Sequence, residues 1–247
     1  MIHTSTHNQV LRLTLARAEK KNALNGEMYR TLSEQLLRAE SDPDIHVVLF
    51  DAEGDSFCAG NDLSDFAAVA SGAVEPQPQV RNFLHALAEG TKPYVAAVQG
   101  KAVGIGATLL LHCDLVYLAQ DAQLSTPFVN LGLVPEAASS YLLPCRIGHA
   151  RAFEMFAFGK SIDAATALSF GIANAVEPTH EVRETALAAA HALASRPIGA
   201  LQATKKLMRD TQTLRAVMGK EIEVFSERLK SAEAMAALKA FAKRKQV

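Results

Sequence analysis

Cysteine is scarce: Cys58, Cys113 and Cys145 are the three in 247 residues. They are too few and too scattered for a disulfide framework or a zinc-ligand pattern, so reduced thiols and a cytoplasmic setting are expected. Net charge is nearly absent, with 25 basic against 26 acidic side chains and a pI near 6.7. That balance offers nothing to a nucleic acid or a membrane surface, although a local basic cluster would still suit a small anionic ligand. No apolar run approaches the length of a membrane span, and residues 1–7 lack the basic-then-apolar pattern of a leader. The ending Lys245-Gln-Val differs from a peroxisomal tripeptide. What is abundant is core: 49% of residues are hydrophobic and 21% charged, enough for one large α/β domain or a domain with a helical appendage.

Periodicity organises the chain. Apolar and polar residues alternate over Val10–Leu15 as in a half-buried strand. Met28, Leu32, Leu36 and Ala39 recur at helical spacing, with Asn25 as the cap and Pro43 as the stop. Residues 46–50 form a short apolar run of the kind covered on both faces, so a parallel strand–helix–strand crossover is predicted. Helix 80–89, strand 92–98 and strand 115–118 follow. Helices are predicted at 150–158, 163–169, 182–195, 198–209, 214–229 and 232–245, with a short edge strand at 174–176. Residues 67–78 carry Gly72, Pro76 and Pro78 and suit a mobile connection or lid.

Two loops and one acid carry the chemistry. The loop at 52–66 leaves a buried strand, and Gly60 lets its backbone turn closely. Its Asp62 suits a helix cap, and its Cys58 suits a buried inert thiol better than a nucleophile. Gly100, Gly104 and Gly106 follow the strand at 92–98, yet they fail as a phosphate loop. The third glycine of a dinucleotide fingerprint would fall at Leu109, and the Walker lysine and hydroxyl are missing. Asp121 alone keeps a nicotinamide reading open. What remains is an amide-presenting turn, with the N–H near Ile105 placed to stabilise negative charge on an oxygen. Glu136 is the only acid between Asp121 and Glu154 and follows an apolar run closed by Pro135. Apolar surroundings would raise its pKa towards that of a carbon-acid base; the alternative is a dipole-favouring acid opening a helix at Ala137 and Ala138. For the basics Arg17, Lys20 and Lys21 the plain alternative is a solvated turn, and for the basic end of the last helix it is a dipole-complementing cluster.

Phe57-Cys-Ala-Gly-Asn-Asp-Leu63, Gly100-Lys-Ala-Val-Gly-Ile-Gly106 and Pro127-Phe-Val-Asn-Leu-Gly-Leu-Val-Pro-Glu136 together resemble the crotonase (enoyl-CoA hydratase/isomerase) superfamily over nearly the whole chain. The resemblance implies an α/β crotonase-like ββα spiral core over 1–195 and a C-terminal helical trimerisation region over 196–247. It implies a homotrimer or dimer of trimers that binds an acyl-CoA as substrate, without a further cofactor or metal, and stabilises a thioester enolate. By resemblance the oxyanion hole is the amides of Ala59 and Ile105. CoA and substrate contacts fall to Lys20, Lys21, Ala23, Cys58, Gly60, Asp62, Leu63, Gly104 and Phe128, with Phe241 and Lys243 reaching CoA, often that of a neighbouring subunit. The two glutamates that hydratases use correspond to Thr108 and Phe128, which cannot exchange a proton, and Phe128 makes that side of the pocket apolar. Glu136 stands where Δ3,Δ2-enoyl-CoA isomerases carry their glutamate, and residues 60–66 and 135–141 look most like the peroxisomal type. The implied reaction is a one-base shift of a double bond from position 3 to position 2. Hydration or another reaction of the family, a CoA-binding homologue without turnover, and a nicotinamide oxidoreductase are the competing readings.

Overall fold

The computed structural model describes residues 1–62, 65 and 78–244, with side chains to residue 240. The alternating stretch becomes β2 (Val10–Leu15), paired antiparallel with β1 (Ile2–His7) and parallel with β3 (Val47–Ala52). β4 (Tyr94–Val98), β6 (Leu115–Ala119) and β9 (Ala175–Glu177) extend the sheet in parallel, giving the order β1-β2-β3-β4-β6-β9. A second sheet, in the order β5-β7-β8, joins β5 (Lys101–Val103), β7 (Gln123–Ser125) and β8 (Ile162–Asp163). Strands β1, β5, β7 and β8 go beyond the sequence expectation.

Both faces of the main sheet are covered, which explains why every residue of β3 is buried. On one face lie α1 (Gly26–Ser41), capped by the Asn25 side chain on Met28 N–H, and α2 (Gln79–Glu89). Then come α3 (Ile105–Thr108), which runs on as a 3₁₀ turn to His112, α4 (Ser139–Ile147), α5 (His149–Phe158), α6 (Ala164–Ser169) and α7 (Val182–Ala194). α7 sets Ala186, Ala190 and Ala194 against Val10, Val47, Leu49 and Val95 on the opposite face. Small side chains let that helix approach closely while the branched residues beneath lose their hydration, at roughly 1.5–3 kcal/mol for each fully buried one.

α8 (Ile198–Met208), α9 (Thr211–Leu229) and α10 (Ala232–Arg244) complete the helical C-terminal region. Its Leu214, Met218, Leu229, Ala234 and Leu238 belong to the same core cluster as Leu11, Phe50 and Tyr94. Core residues therefore stand on both sides of the expected boundary at 195/196. One local prediction fails. Ala137 and Ala138 are not helical; both take left-handed backbone, at φ 60° and 55°, and the helix begins at Ser139.

Candidate active site

The two glycine-bearing loops are zipped together, backbone to backbone. Cys58 N–H donates to the Lys101 carbonyl at 3.0 Å and Val103 N–H to the Cys58 carbonyl at 2.8 Å. Gly106 makes this approach possible, since a Cβ there would lie 2.6 Å from the Cys58 oxygen. Gly60, at φ 95°, turns the first loop against Val103. The glycines thus serve loop-to-loop contact.

That contact decides which amides face outward. Ala59 N–H donates to the Lys21 carbonyl at 2.9 Å, so the oxyanion role expected of Ala59 is corrected: its hydrogen is already engaged. Among the described residues, no acceptor faces Asn61 N–H or Ile105 N–H. Ile105 opens α3, where first-turn amides have no partner within the helix. Its side chain is fully buried.

Glu136 is 6% exposed, and one of its carboxyl oxygens, Oε1, has no hydrogen-bond partner among the described residues. The Asn61 amide bonds to the carboxyl. Tyr29, on α1, donates its hydroxyl to Asn61 Oδ1, which turns the amide nitrogen of Asn61 towards Glu136. Burial pushes the Glu136 carboxyl up to about 8; the charge of Glu221 adds to the rise and the Asn61 hydrogen bond opposes it. The turn carrying Glu136 is held from outside the motif. His112 Nε2–H donates to the Ala137 carbonyl at 2.7 Å while Nδ1 accepts from Arg209, and burial and Arg209 hold His112 neutral. Glu221 accepts from Ala138 and Ser140.

The other predicted residues divide. Lys20 and Lys21 lie exposed at the end of a 3₁₀ turn, with Lys21 Nζ 2.7 Å from Asp55. Ala23 and Asp62 are joined through Arg17, which donates to the Ala23 carbonyl and to Asp62 Oδ2. Buried Asn22 pins the same loop, bonding to Arg17, Glu53 and Ser56. Cys58 is buried, its thiol pushed up to about 12 by burial, and both its backbone groups bond to β5 or its edge, so it presents none of them to a ligand. The Gly60 carbonyl accepts from Leu24 N–H, and Gly104 N–H donates to Ser125. Phe128 is buried against Phe156 and lies over Gly104. Thr108 is fully buried, and its hydroxyl has no partner among the described residues. It lines a cavity of about 10 Å³ with Leu111, Leu124, Thr126, Leu143 and Met155. Asp121 serves structure, accepting from Gly100 N–H and Thr179. Leu63, the 67–77 connection and the side chains of Phe241 and Lys243 lie outside the described residues. Among the described residues, no group of three or more His, Cys, Asp or Glu is placed to hold a metal, and no helix is long and apolar enough to cross a membrane.

Sequence reading missed Tyr29, Asn61, His112, Arg209 and Glu221 as parts of this site. Tyr29 carries no separate signal, since it adjoins Met28 on the buried face of α1. Glu221 did carry a signal, because it falls on the buried stripe of α9, three residues after Met218 and seven after Leu214.

The chain is similar to known proteins in sequence and fold. A family model described as enoyl-CoA hydratase/isomerase matches residues 5–247. Enoyl-CoA delta isomerase 2 of Homo sapiens is 34% identical over 98% of this chain, which spans 63% of that protein's length. The 2,3-dehydroadipyl-CoA hydratase of Escherichia coli (strain K12) is 34% identical over 90% of this chain and 88% of its own. An enoyl-CoA hydratase/isomerase structure from Pseudoalteromonas atlantica T6c superposes with a TM-score of 0.93 at 40% identity, covering 98% of this chain and 97% of that one. With its full-length family match and a shared α/β fold, the chain belongs to the enoyl-CoA hydratase/isomerase family.

Proposed function

We propose that the protein is an enoyl-CoA isomerase that moves a double bond from position 3 to position 2 with Glu136 as its single proton carrier. The observation that carries this reading is a buried carboxyl raised to about 8, one oxygen without a partner among the described residues, with no acid at Thr108 or Phe128 to position a water. Glu136 removes a C2 proton from a 3-enoyl-CoA. The dienolate oxygen sits on Asn61 N–H and Ile105 N–H, and protonated Glu136 returns the proton at C4. A carboxylate held near neutrality is a stronger base towards a C–H than one in water, and preset amides meet the oxyanion without reorganising. The similarity to the human enoyl-CoA delta isomerase 2 supports the reaction. The Escherichia coli hydratase supports the competing reading, in which water is added. Lys20, Lys21, Ala23, Leu63, Phe241 and Lys243 are assigned to CoA. Leu207 and Met208, 89% and 83% exposed on α8, favour assembly into a trimer or a dimer of trimers, which sedimentation would test.

The test follows the absorbance of conjugation on adding a 3-enoyl-CoA, with crotonyl-CoA in parallel to detect hydration. The expected result is conjugation that Glu136→Gln lowers by a factor of hundreds or more. Its rate constant kcat/KM should climb with pH through about 8, because the base works deprotonated. Consumption of crotonyl-CoA without conjugation would hand the function to the hydratase reading.

A further inference from the structure

Glu221 comes from α9, far along the chain from Glu136, yet its 7% exposed carboxylate ends on the turn that carries the base. Oε2 accepts from Ala138 N–H at 2.6 Å; Oε1 accepts from Ser140 N–H at 2.9 Å and from the Ser140 hydroxyl. The turn needs an anchor of this kind. Two consecutive alanines in left-handed backbone cost roughly 1–2 kcal/mol each. Ala138, the residue before α4, has no side chain with which to cap it. Glu221 supplies that cap from another element and places its negative charge where the dipole of α4 favours it.

The geometry points to Glu221 as a positioning residue for the base: its carboxylate fixes the Ala137–Ala138 turn and its charge favours the proton on Glu136. This rests on the reading of Glu136 as the base. The two carboxyls are unequally served. Glu221 has three donors, all favouring its ionised form, whereas Glu136 has one, from Asn61, and an oxygen without a partner among the described residues. Two buried carboxylates do not both ionise cheaply, so the less solvated one keeps the proton. Burial raises both groups, while Ser140 and Ala138 pull Glu221 back down. Among the described residues, the other titratable groups in contact with Glu136 or its turn are neutral. Tyr29 from α1 and Cys58 from the first loop are raised by burial, and His112, behind Ala137, is lowered. Asp65 bears on Tyr29. Among the described residues, Glu221 is the charge that acts on Glu136.

The experiment compares kcat/KM against pH for the isomerisation in the whole protein and in Glu221→Gln and Glu221→Asp, each checked for fold by circular dichroism and gel filtration. Glu221→Gln removes the charge, so the rising limb should move about one pH unit towards acid and the plateau should fall at least tenfold. Glu221→Asp keeps the charge but is one methylene too short, so the limb should stay and the plateau fall. An unmoved limb in Glu221→Gln overturns the proposal. If Glu221→Gln does not fold, Ser140→Ala takes its place; a plateau lowered several-fold with no acid shift supports the role, and an unaltered profile overturns it. Infrared titration of the Glu136 carboxyl band, assigned by its loss in Glu136→Gln, needs no turnover. It separates two failures: absence of isomerisation sinks the proposed function, whereas an unmoved band in Glu221→Gln sinks this inference alone.

Discussion

A buried carboxyl with a raised pKa costs stability whenever it ionises. Glu136 goes from its ordinary 4.5 to about 8 on folding, so the folded chain binds its proton more tightly than the unfolded chain. The stabilising contribution of that proton is complete below about 4.5 and is lost as pH rises through about 8. Glu136→Gln has no charge to bury. Its stability relative to the parent should therefore grow between pH 5 and pH 9 by a few kcal/mol, at about 1.4 kcal/mol for each pH unit between the two values. Urea midpoints at those two pH values would show it, and an equal gap at both would count against a buried, proton-holding Glu136. Tyr29→Phe makes the opposite test of the neighbouring bond. Without the phenol, the Asn61 amide is free to turn its oxygen to Glu136, so the activity limb should move towards alkaline pH with the fold intact. Glu136 was legible in sequence because an acid alone in an apolar stretch is conspicuous. Asn61 was not, because its role exists only through contacts made across the fold with Tyr29 and Glu136.

At the level of elements, periodicity served where the period had room to repeat. α1, α2 and α7 lie within a residue or two of their predicted ends. β5 and β7 have three residues each, too few for alternation to register, and are defined by parallel pairing with one another. Ala137 and Ala138 illustrate the other failure. Alanine is the best helix former, yet tertiary hydrogen bonds from His112 and Glu221 hold both residues in left-handed backbone. The two glycine-bearing loops carry a sharper consequence. A methyl at Gly106 would collide with the Cys58 carbonyl, which is itself bonded to Val103, so neither loop has slack. Gly106→Ala should destabilise the protein by about 2 kcal/mol or more and cut isomerisation at least tenfold by displacing Ile105 N–H. A parent-like melting temperature and rate would refute this account of the loops. Thr108→Val is the contrasting substitution: it replaces a buried hydroxyl that has no partner among the described residues by a methyl of the same shape. It should leave the rate unchanged and match or raise the melting temperature, by about 1 kcal/mol of stability.

For the molecule as a whole, the question is whether the helices after residue 195 are an arm or part of the body. The resemblance suggested a trimerisation region, and the exposed Leu207 and Met208 suit that role. The remaining contacts run inward. Lys205 is buried, donates to the Lys92 carbonyl and to Asp114, and lies 3.9 Å from the centre of the Tyr94 ring. Arg209 holds His112, Glu221 holds Ala138, and Leu214, Met218 and Leu238 fill the central cluster. Sequence periodicity could mark these helices but not say what their apolar stripes would meet, since each partner lies far away in the chain. If the region is part of the body, a chain ending at Ser195 should not fold. It would expose the apolar surface those helices cover and strip Asp114, His112 and the Glu136 turn of their charged partners at once. Circular dichroism and gel filtration should find it aggregated or without a cooperative melt, whereas Leu207→Glu with Met208→Glu in the full chain should alter assembly and leave the melt of the protomer cooperative. A truncated chain that melts like the parent would make the region an appendage and would remove the structural basis for Glu221 acting on Glu136.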